Sequence, residues 1–110
     1  MSKRYTEILK LKTMLDEAKI PYDFEINPLQ SPAYGIGRRY HIGVPGKRNQ
    51  IISVVQGKGT YGAEDDLLEI MGLLTEDERA KDEVAGWLTA ENVFQRIKNY
   101  YDAKEEADKQ

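Results

Sequence analysis

The sequence predicts a single α+β domain in which helices cover a three-stranded antiparallel sheet, in the order α-β-β-β-α-α-α. Two patterns predict this fold class. Alternating apolar and polar residues indicate three strands, and apolar residues spaced three or four apart indicate four helices. The 110 residues, 40% of them hydrophobic, suffice for one core and one domain. Residues 102–110 lack large apolar side chains, so we expect this tail to fray.

The first helix is predicted over residues 3–18, with Ser2 as its cap and Pro21 beyond its end. Its apolar stripe consists of Ile8, Leu11, Leu15 and Ala18. A first strand is predicted at 22–27, where apolar and polar residues alternate. Residues 28–37 hold two prolines and two glycines and are predicted to form a loop.

Strands two and three are predicted at 38–44 and from Gln50 onward, and a turn at 45–49 makes them a hairpin. A glycine-rich turn then leads to a second helix over 64–74. The apolar face of this second helix consists of Leu67, Ile70, Met71 and Leu74.

A capping box formed by Thr75 and Glu78 predicts a short third helix. Trp87 is predicted to turn inward and bury its ring in the core. Thr89 caps the last helix. The apolar face of that helix is predicted to contain Val93, Phe94, Ile97, Tyr100 and Tyr101.

Charge divides the chain into two halves. Residues 1–60 carry ten Lys and Arg against five Asp and Glu, a net charge of +5. Residues 61–110 carry six against fourteen, a net charge of −8. The two halves could face differently charged partners, or simply form a dipolar, well-solvated surface. No run approaches a membrane span, and the absence of cysteine is compatible with the cytosol, so we expect a cytoplasmic protein.

The basic half concentrates its charge on the predicted hairpin. Six residues form this predicted basic surface: Arg38, Arg39, His41, Lys47, Arg48 and Lys58. Tyr34, Tyr40 and Tyr61 lie among them. Arginine binds phosphates and tyrosine stacks on unpaired bases, so the combination is typical of contact with nucleic acid. A solvated sheet face would have the same composition.

The acidic half offers the opposite surface, mostly on predicted helices. Its candidate binding residues are Glu64, Asp65, Asp66, Glu69, Asp77 and Glu78. A surface of this kind can be steered into a basic nucleic-acid-binding groove on another protein. Ordinary helix-surface charge that serves solubility gives the same pattern.

The sequence contains no credible catalytic set. Gly57, Gly59 and Gly62 match G-x-G-x-x-G, but three acids follow at once and no βαβ unit is predicted, so we expect a tight turn and no cofactor. His41 is the sole histidine, and the acidic clusters lack the spacing of a calcium loop, so we predict no metal site. A small nuclease that uses carboxylates and a divalent cation stays open as an alternative.

The predicted layout, with P-x-x-F after the first helix and G-K-G-T-Y-G before the second, resembles double-stranded-RNA-binding domains. That family opens its second helix with phosphate-binding lysines. This chain has Ala63, Glu64, Asp65 and Asp66 there, which argues against that RNA-binding mode.

Three segments together resemble small, mostly uncharacterised proteins of phages and prophages of Gram-positive bacteria: YTEILKLKTMLDEAKIPY, GTYGAEDDLLEIMGLL and GWLTAENVFQRIKNYY. Residues 23–56 lie outside the resemblance. Small acidic proteins of this origin include inhibitors of CRISPR effector nucleases, so the resemblance implies an anti-CRISPR protein as a candidate. It implies no particular site residues.

We therefore expect a non-enzymatic phage or mobile-element protein that binds and inhibits a host protein or ribonucleoprotein, with a CRISPR effector nuclease or its guide RNA as the first candidate partner. The alternative is an RNA- or DNA-binding domain that acts through the basic hairpin. A homodimer is also open, because a second copy could cover the exposed edges of the sheet.

Overall fold

In the computed structural model, which describes residues 5–31 and 35–108, five strands form one antiparallel sheet in the order β1-β2-β3-β4-β5. The strands are Asp23–Ser31 (β1), Gly35–Val44 (β2), Ile52–Gly57 (β3), Leu68–Met71 (β4) and Ala85–Leu88 (β5). The helices are Glu7–Glu17 (α1), Glu76–Lys81 (α2) and Ala90–Asp108 (α3), with a 3₁₀ turn at Ala63–Asp65. The predicted α+β class with an antiparallel sheet is confirmed. The predicted three strands and element order are wrong.

The core lies between the sheet and the helices α1 and α3, which pack against each other. Helical spacing buries Ile8, Leu11 and Leu15 of α1, together with Val93 and Ile97 of α3, as predicted. The strands contribute Ile42, Val44, Ile52, Val54, Leu68 and Ile70. Ala18 was predicted to belong to this buried stripe, but it is exposed at the C-cap of α1. The predicted cap Ser2 lies outside the described residues, and the N-cap is Thr6.

The predicted hairpin of β2 and β3 is confirmed. Ile42 stands opposite Val54, and both are buried, whereas His41 on the other face stands opposite Val55. The loop predicted over 28–37 is wrong, because β1 continues to Ser31 and β2 already begins at Gly35. Pro28 lies in β1, which is an edge strand, and edge strands are where sheets tolerate proline. The peptide bond between Val44 and Pro45 at the next turn is cis.

The second helix predicted over 64–74 is wrong. The chain instead makes the 3₁₀ turn and then β4, in which Leu68 and Ile70 are buried and Met71 is exposed. Left-handed backbone interrupts any helix here, since φ is +56° at Asp66 and +99° at Gly72. The layout of double-stranded-RNA-binding domains is lost with this helix, and the order is α-β-β-β-β-α-β-α.

The C-terminal third is partly as predicted. The capping box of Thr75 and Glu78 is present at α2. Thr89 caps α3, since its Oγ1 accepts the Asn92 N–H at 3.1 Å. Helix α3 runs to Asp108, across most of the segment expected to fray, while residues 109 and 110 lie outside the described chain. Trp87 was expected in the core but lies in β5 with 57% of its surface exposed.

The described helices all lie on one side of the sheet, because α1 and α3 share the core and Arg96 of α3 is bonded to Glu78 of α2. We call the opposite side, on which none of these helices packs, the outer face. Its strand residues include Glu25, Arg39, His41, Ser53, Val55, Glu69 and Met71. In the described ranges, no helix is long and apolar enough to cross a membrane.

Candidate interaction face

A pair of stacked aromatic rings stands out on the outer side of the sheet. The ring centroids of Tyr61 and Trp87 are 5.6 Å apart, and the planes are inclined by 15°. Tyr61 is 49% exposed, and Met71, on the outer face of β4, is 55% exposed. Large exposed aromatic and methionine side chains in one region are typical of binding surfaces.

A β-bulge turns Trp87 outward. Leu68 pairs with Leu88 and Ile70 with Ala85, so one residue of β4 lies opposite two of β5. The extra residue gives Trp87 a left-handed φ of +56°. A bulky residue rarely adopts this conformation, which costs about 1–2 kcal/mol, and such strain is concentrated at binding and catalytic sites.

Two glycines let the loop at 57–62 lie directly against β5. A Cβ on Gly86 would stand 2.4 Å from the Cβ of Tyr61, and a Cβ on Gly62 would stand 2.8 Å from the backbone nitrogen of Trp87. This close approach holds the Tyr61 ring over the Trp87 ring. The two glycines were visible in the sequence, but nothing local indicated that they meet.

Glu69 completes this group of residues. It lies on β4 opposite the bulge, and its Oε1 accepts the backbone N–H of Tyr61 at 2.8 Å. Of the predicted acidic residues, Glu69 is thus the one fixed beside the aromatic pair. We call Tyr61, Glu69 and Trp87 the aromatic site.

Asp66 serves the fold. Its carboxylate accepts hydrogen bonds from the backbone N–H groups of Thr6 and Glu7, from the Thr6 hydroxyl and from the Gln56 amide. The buried Gln56 in turn accepts the Ile8 N–H at 3.0 Å. Burial alone would raise the pKa of Asp66, but these hydrogen bonds outweigh it and lower the pKa. Asp66 therefore caps α1 from a turn 60 residues away in sequence.

Glu78 is also engaged within the fold. Arg96 binds it with two hydrogen bonds of 2.7 and 2.8 Å, and its Oε1 also accepts the Thr75 N–H. The predicted acids that remain exposed are Glu64, Asp65 and Asp77.

The Glu78–Arg96 pair predicts a loss of stability in acid. The hydrogen bond from Arg96 lowers the pKa of Glu78 from 4.5 to about 2. A carboxyl with a lowered pKa in the folded state stabilises the protein above its unfolded-state pKa, so this contribution is lost as the pH falls from 4.5 towards 2. We expect Glu78→Gln to cost roughly 2 kcal/mol at pH 7 and much less near pH 2. Urea denaturation at both pH values measures this. Asp77→Asn is the control, and an equal cost at both values would contradict the prediction.

The predicted basic residues fall into two groups. Arg38, Arg39 and Lys58 lie where β3 ends, and Arg39 Nη2 donates to the Lys58 carbonyl at 3.1 Å. Lys47 and Arg48 lie in the turn at the other end of the hairpin. Lys47 is paired there with Glu25 at 2.6 Å, and this hydrogen bond lowers the pKa of Glu25.

His41 lies between the two groups, with its Nε2 2.8 Å from Ser53 Oγ. Arg39 and Val44, at the two ends of this part of β2, are five positions apart, a distance of about 17 Å.

Each end of the sheet therefore carries both signs of charge. Glu64 and Asp65 lie in the 3₁₀ turn that follows Lys58, at the end where β3 meets β4. Asp77 follows β4, at the same end as the 45–49 turn. The predicted basic and acidic surfaces therefore do not occupy separate ends of the sheet.

The glycine-rich loop has a structural explanation in this fold. A Cβ on Gly57 would lie 2.6 Å from the Arg38 carbonyl oxygen, and Gly59 and Gly62 have φ of +89° and +94°. The loop closes the hairpin of β3 and β4 and opens no long helix. Within 5–31 and 35–108, no group of three or more His, Cys, Asp or Glu could hold a metal ion.

No protein-family model, no curated protein and no solved structure matches the chain.

Proposed function

We propose that this chain is a non-enzymatic protein that binds a partner protein through its outer face, centred on the aromatic site. The exposed tryptophan carries the proposal. The fold maintains a left-handed backbone at Trp87 and turns its ring away from the core, where burial would have stabilised the protein. Tryptophan and tyrosine are the residues that most often dominate the binding energy of protein interfaces.

The resemblance to phage and prophage proteins extends our proposal to the identity of the partner. The partner is then a host nucleoprotein, first of all a CRISPR effector nuclease, which the chain inhibits in the cytoplasm of the host cell. Exposed Glu64 and Asp65, in the 3₁₀ turn that follows the loop of Tyr61, support this extension, because a nucleic-acid-binding groove is basic.

The variant Trp87→Asn tests the proposal. Asparagine tolerates left-handed backbone, so the change removes the indole and keeps the bulge. We expect capture of the partner from nuclease-treated host lysate, and inhibition of the captured enzyme, to weaken at least tenfold, while the thermal midpoint does not fall. The matched control is Leu9→Ala, which truncates an exposed apolar residue of α1. Undiminished capture by Trp87→Asn would overturn the proposal.

A nucleic-acid-binding function is the second candidate, because Arg39 and Lys58 are joined by a hydrogen bond beside the loop that carries Tyr61. A nucleic-acid-binding function predicts that the protein captures nucleic acid from host lysate and that nuclease treatment removes the captured material. It also predicts that binding weakens steeply with salt. The double variant Arg39→Glu with Lys58→Glu would then abolish the capture of nucleic acid, whereas Trp87→Asn alone would only reduce it.

Two further alternatives have direct tests. A carboxylate-dependent nuclease would show turnover that EDTA stops. A homodimer would pair through the edge strands β1 or β5, and its mass by sedimentation would be twice 12.6 kDa.

A further inference from the structure

We infer that the aromatic site receives an arginine side chain of the partner protein, stacked on the rings of Tyr61 and Trp87 and paired with the carboxylate of Glu69. The inference rests on the proposed function and gives the chemistry that the outer face recognises.

The aromatic pair offers a flat surface for a planar cation. Tyr61 and Trp87 cover one face of each other's ring, and about half of each side chain remains accessible to solvent. A guanidinium group stacks on such a surface, attracted by the negative ring face, and tryptophan gives the strongest of these interactions. The stack is already formed, so little conformational entropy is lost on binding.

Glu69 supplies the complementary charge. The Tyr61 N–H occupies one acceptor position of its carboxylate at 2.8 Å, and a carboxylate has about four such positions. The bond to the backbone also fixes the side chain beside the rings. Arginine can donate to a fixed carboxylate while its plane lies on an aromatic ring, whereas lysine has no plane to stack.

The surrounding charges favour a cation over a nucleotide. Glu64 and Asp65 are exposed in the 3₁₀ turn that follows the loop of Tyr61. A base stacked on Trp87 would bring its phosphate close to Glu69, where like charges repel.

The single tryptophan makes the inference directly measurable, since all tryptophan fluorescence of the protein comes from Trp87. The probes are an eight-residue peptide of alternating arginine and glycine, the matching lysine peptide, and an eight-nucleotide oligouridylate. We expect the arginine peptide to change the fluorescence with saturation below about 10 mM, as one cation–π contact and one ion pair allow, and the lysine peptide to bind more weakly.

Two variants localise the binding. Glu69→Gln keeps an oxygen for the Tyr61 N–H but loses the charge, and we expect the dissociation constant of the arginine peptide to rise at least fivefold. Asp77→Asn removes an exposed acid at the other end of β4 and should change it less than twofold. Thermal midpoints of both variants verify folding.

Absence of saturation with the arginine peptide, equal binding by Glu69→Gln, or a response to the oligouridylate alone would each overturn the inference. These outcomes differ from failure of the proposed function. If Trp87→Asn loses its partner but the arginine peptide does not bind, the partner reaches the same face through another kind of residue. If Trp87→Asn retains its partner, the proposed function itself is wrong.

Discussion

Replacing Asp66 by alanine is expected to lower the free energy of unfolding by roughly 3 kcal/mol. The carboxylate accepts four hydrogen bonds, two of them from the first N–H groups of α1, and alanine leaves these donors without an acceptor. Alanine also fits poorly at a φ of +56°. For a domain of this size the loss corresponds to a fall in the thermal midpoint of about 12–20 °C.

Neighbouring substitutions separate the contributions at this position. Asp66→Asn tolerates the left-handed backbone and keeps one oxygen, which can accept the three hydrogen bonds now made to Oδ1, so it should cost only about 1 kcal/mol. Asp65→Ala removes an exposed acid of the same turn and should leave the midpoint within about 2 °C, the usual range for surface changes. If Asp66→Ala were as stable as Asp65→Ala, the cap would contribute nothing.

Gly72→Ala is expected to cost at least about 3 kcal/mol, because two penalties coincide. The φ of Gly72 is +99°, and an added Cβ would lie 2.3 Å from the carbonyl oxygen of Ile51, a backbone atom that β3 holds in place. Denaturation with urea would measure the loss, and poor expression would be consistent with it.

Gly59→Ala provides the matched control. Gly59 also has a positive φ, of +89°, but an added Cβ there would meet open space. It should therefore show the backbone penalty alone, about 1 kcal/mol. Equal costs for the two variants would mean that close packing of β4 on β3 is unimportant at this position.

The helices were predictable because their signals are local. The stripe of α1, the capping box of α2 and the Thr89 cap of α3 each lie within a few turns of chain. Strand β4 was not predictable in this way, because Leu67–Leu74 has apolar residues at both helical and strand spacings. Pairing with β3 selects the strand over the helix. In the sequence, only Gly72 indicated that a helix through this apolar run would be interrupted.

The candidate site was harder to predict than the fold. Burial is the common environment of tryptophan, and the bulge that exposes Trp87 depends on contact with a loop 25 residues earlier. The sequence showed which residues are charged, but it did not show which distant residues they are bonded to. Asp66 and Glu78 are bonded to residues 60 and 18 positions away. Sequence spacing predicted the capping box of Glu78 but could not show its pairing with Arg96 or the bonds of Asp66 to α1.

The cap on α1 also bears on how the chain acquires its structure during synthesis. Asp66 supplies acceptors to Thr6 and Glu7, and Glu7 in turn accepts the Ala90 N–H at the start of α3. Helix α1 therefore lacks its capping carboxylate until a residue 60 positions later in the chain has been synthesised, and the start of α3 is in turn bonded to α1. Short isolated helices are marginal in water, so nascent chains that end before β4 should remain largely unstructured. Folding then becomes a late, concerted event, and fragments of this protein should be degraded rather than accumulate as partly folded species.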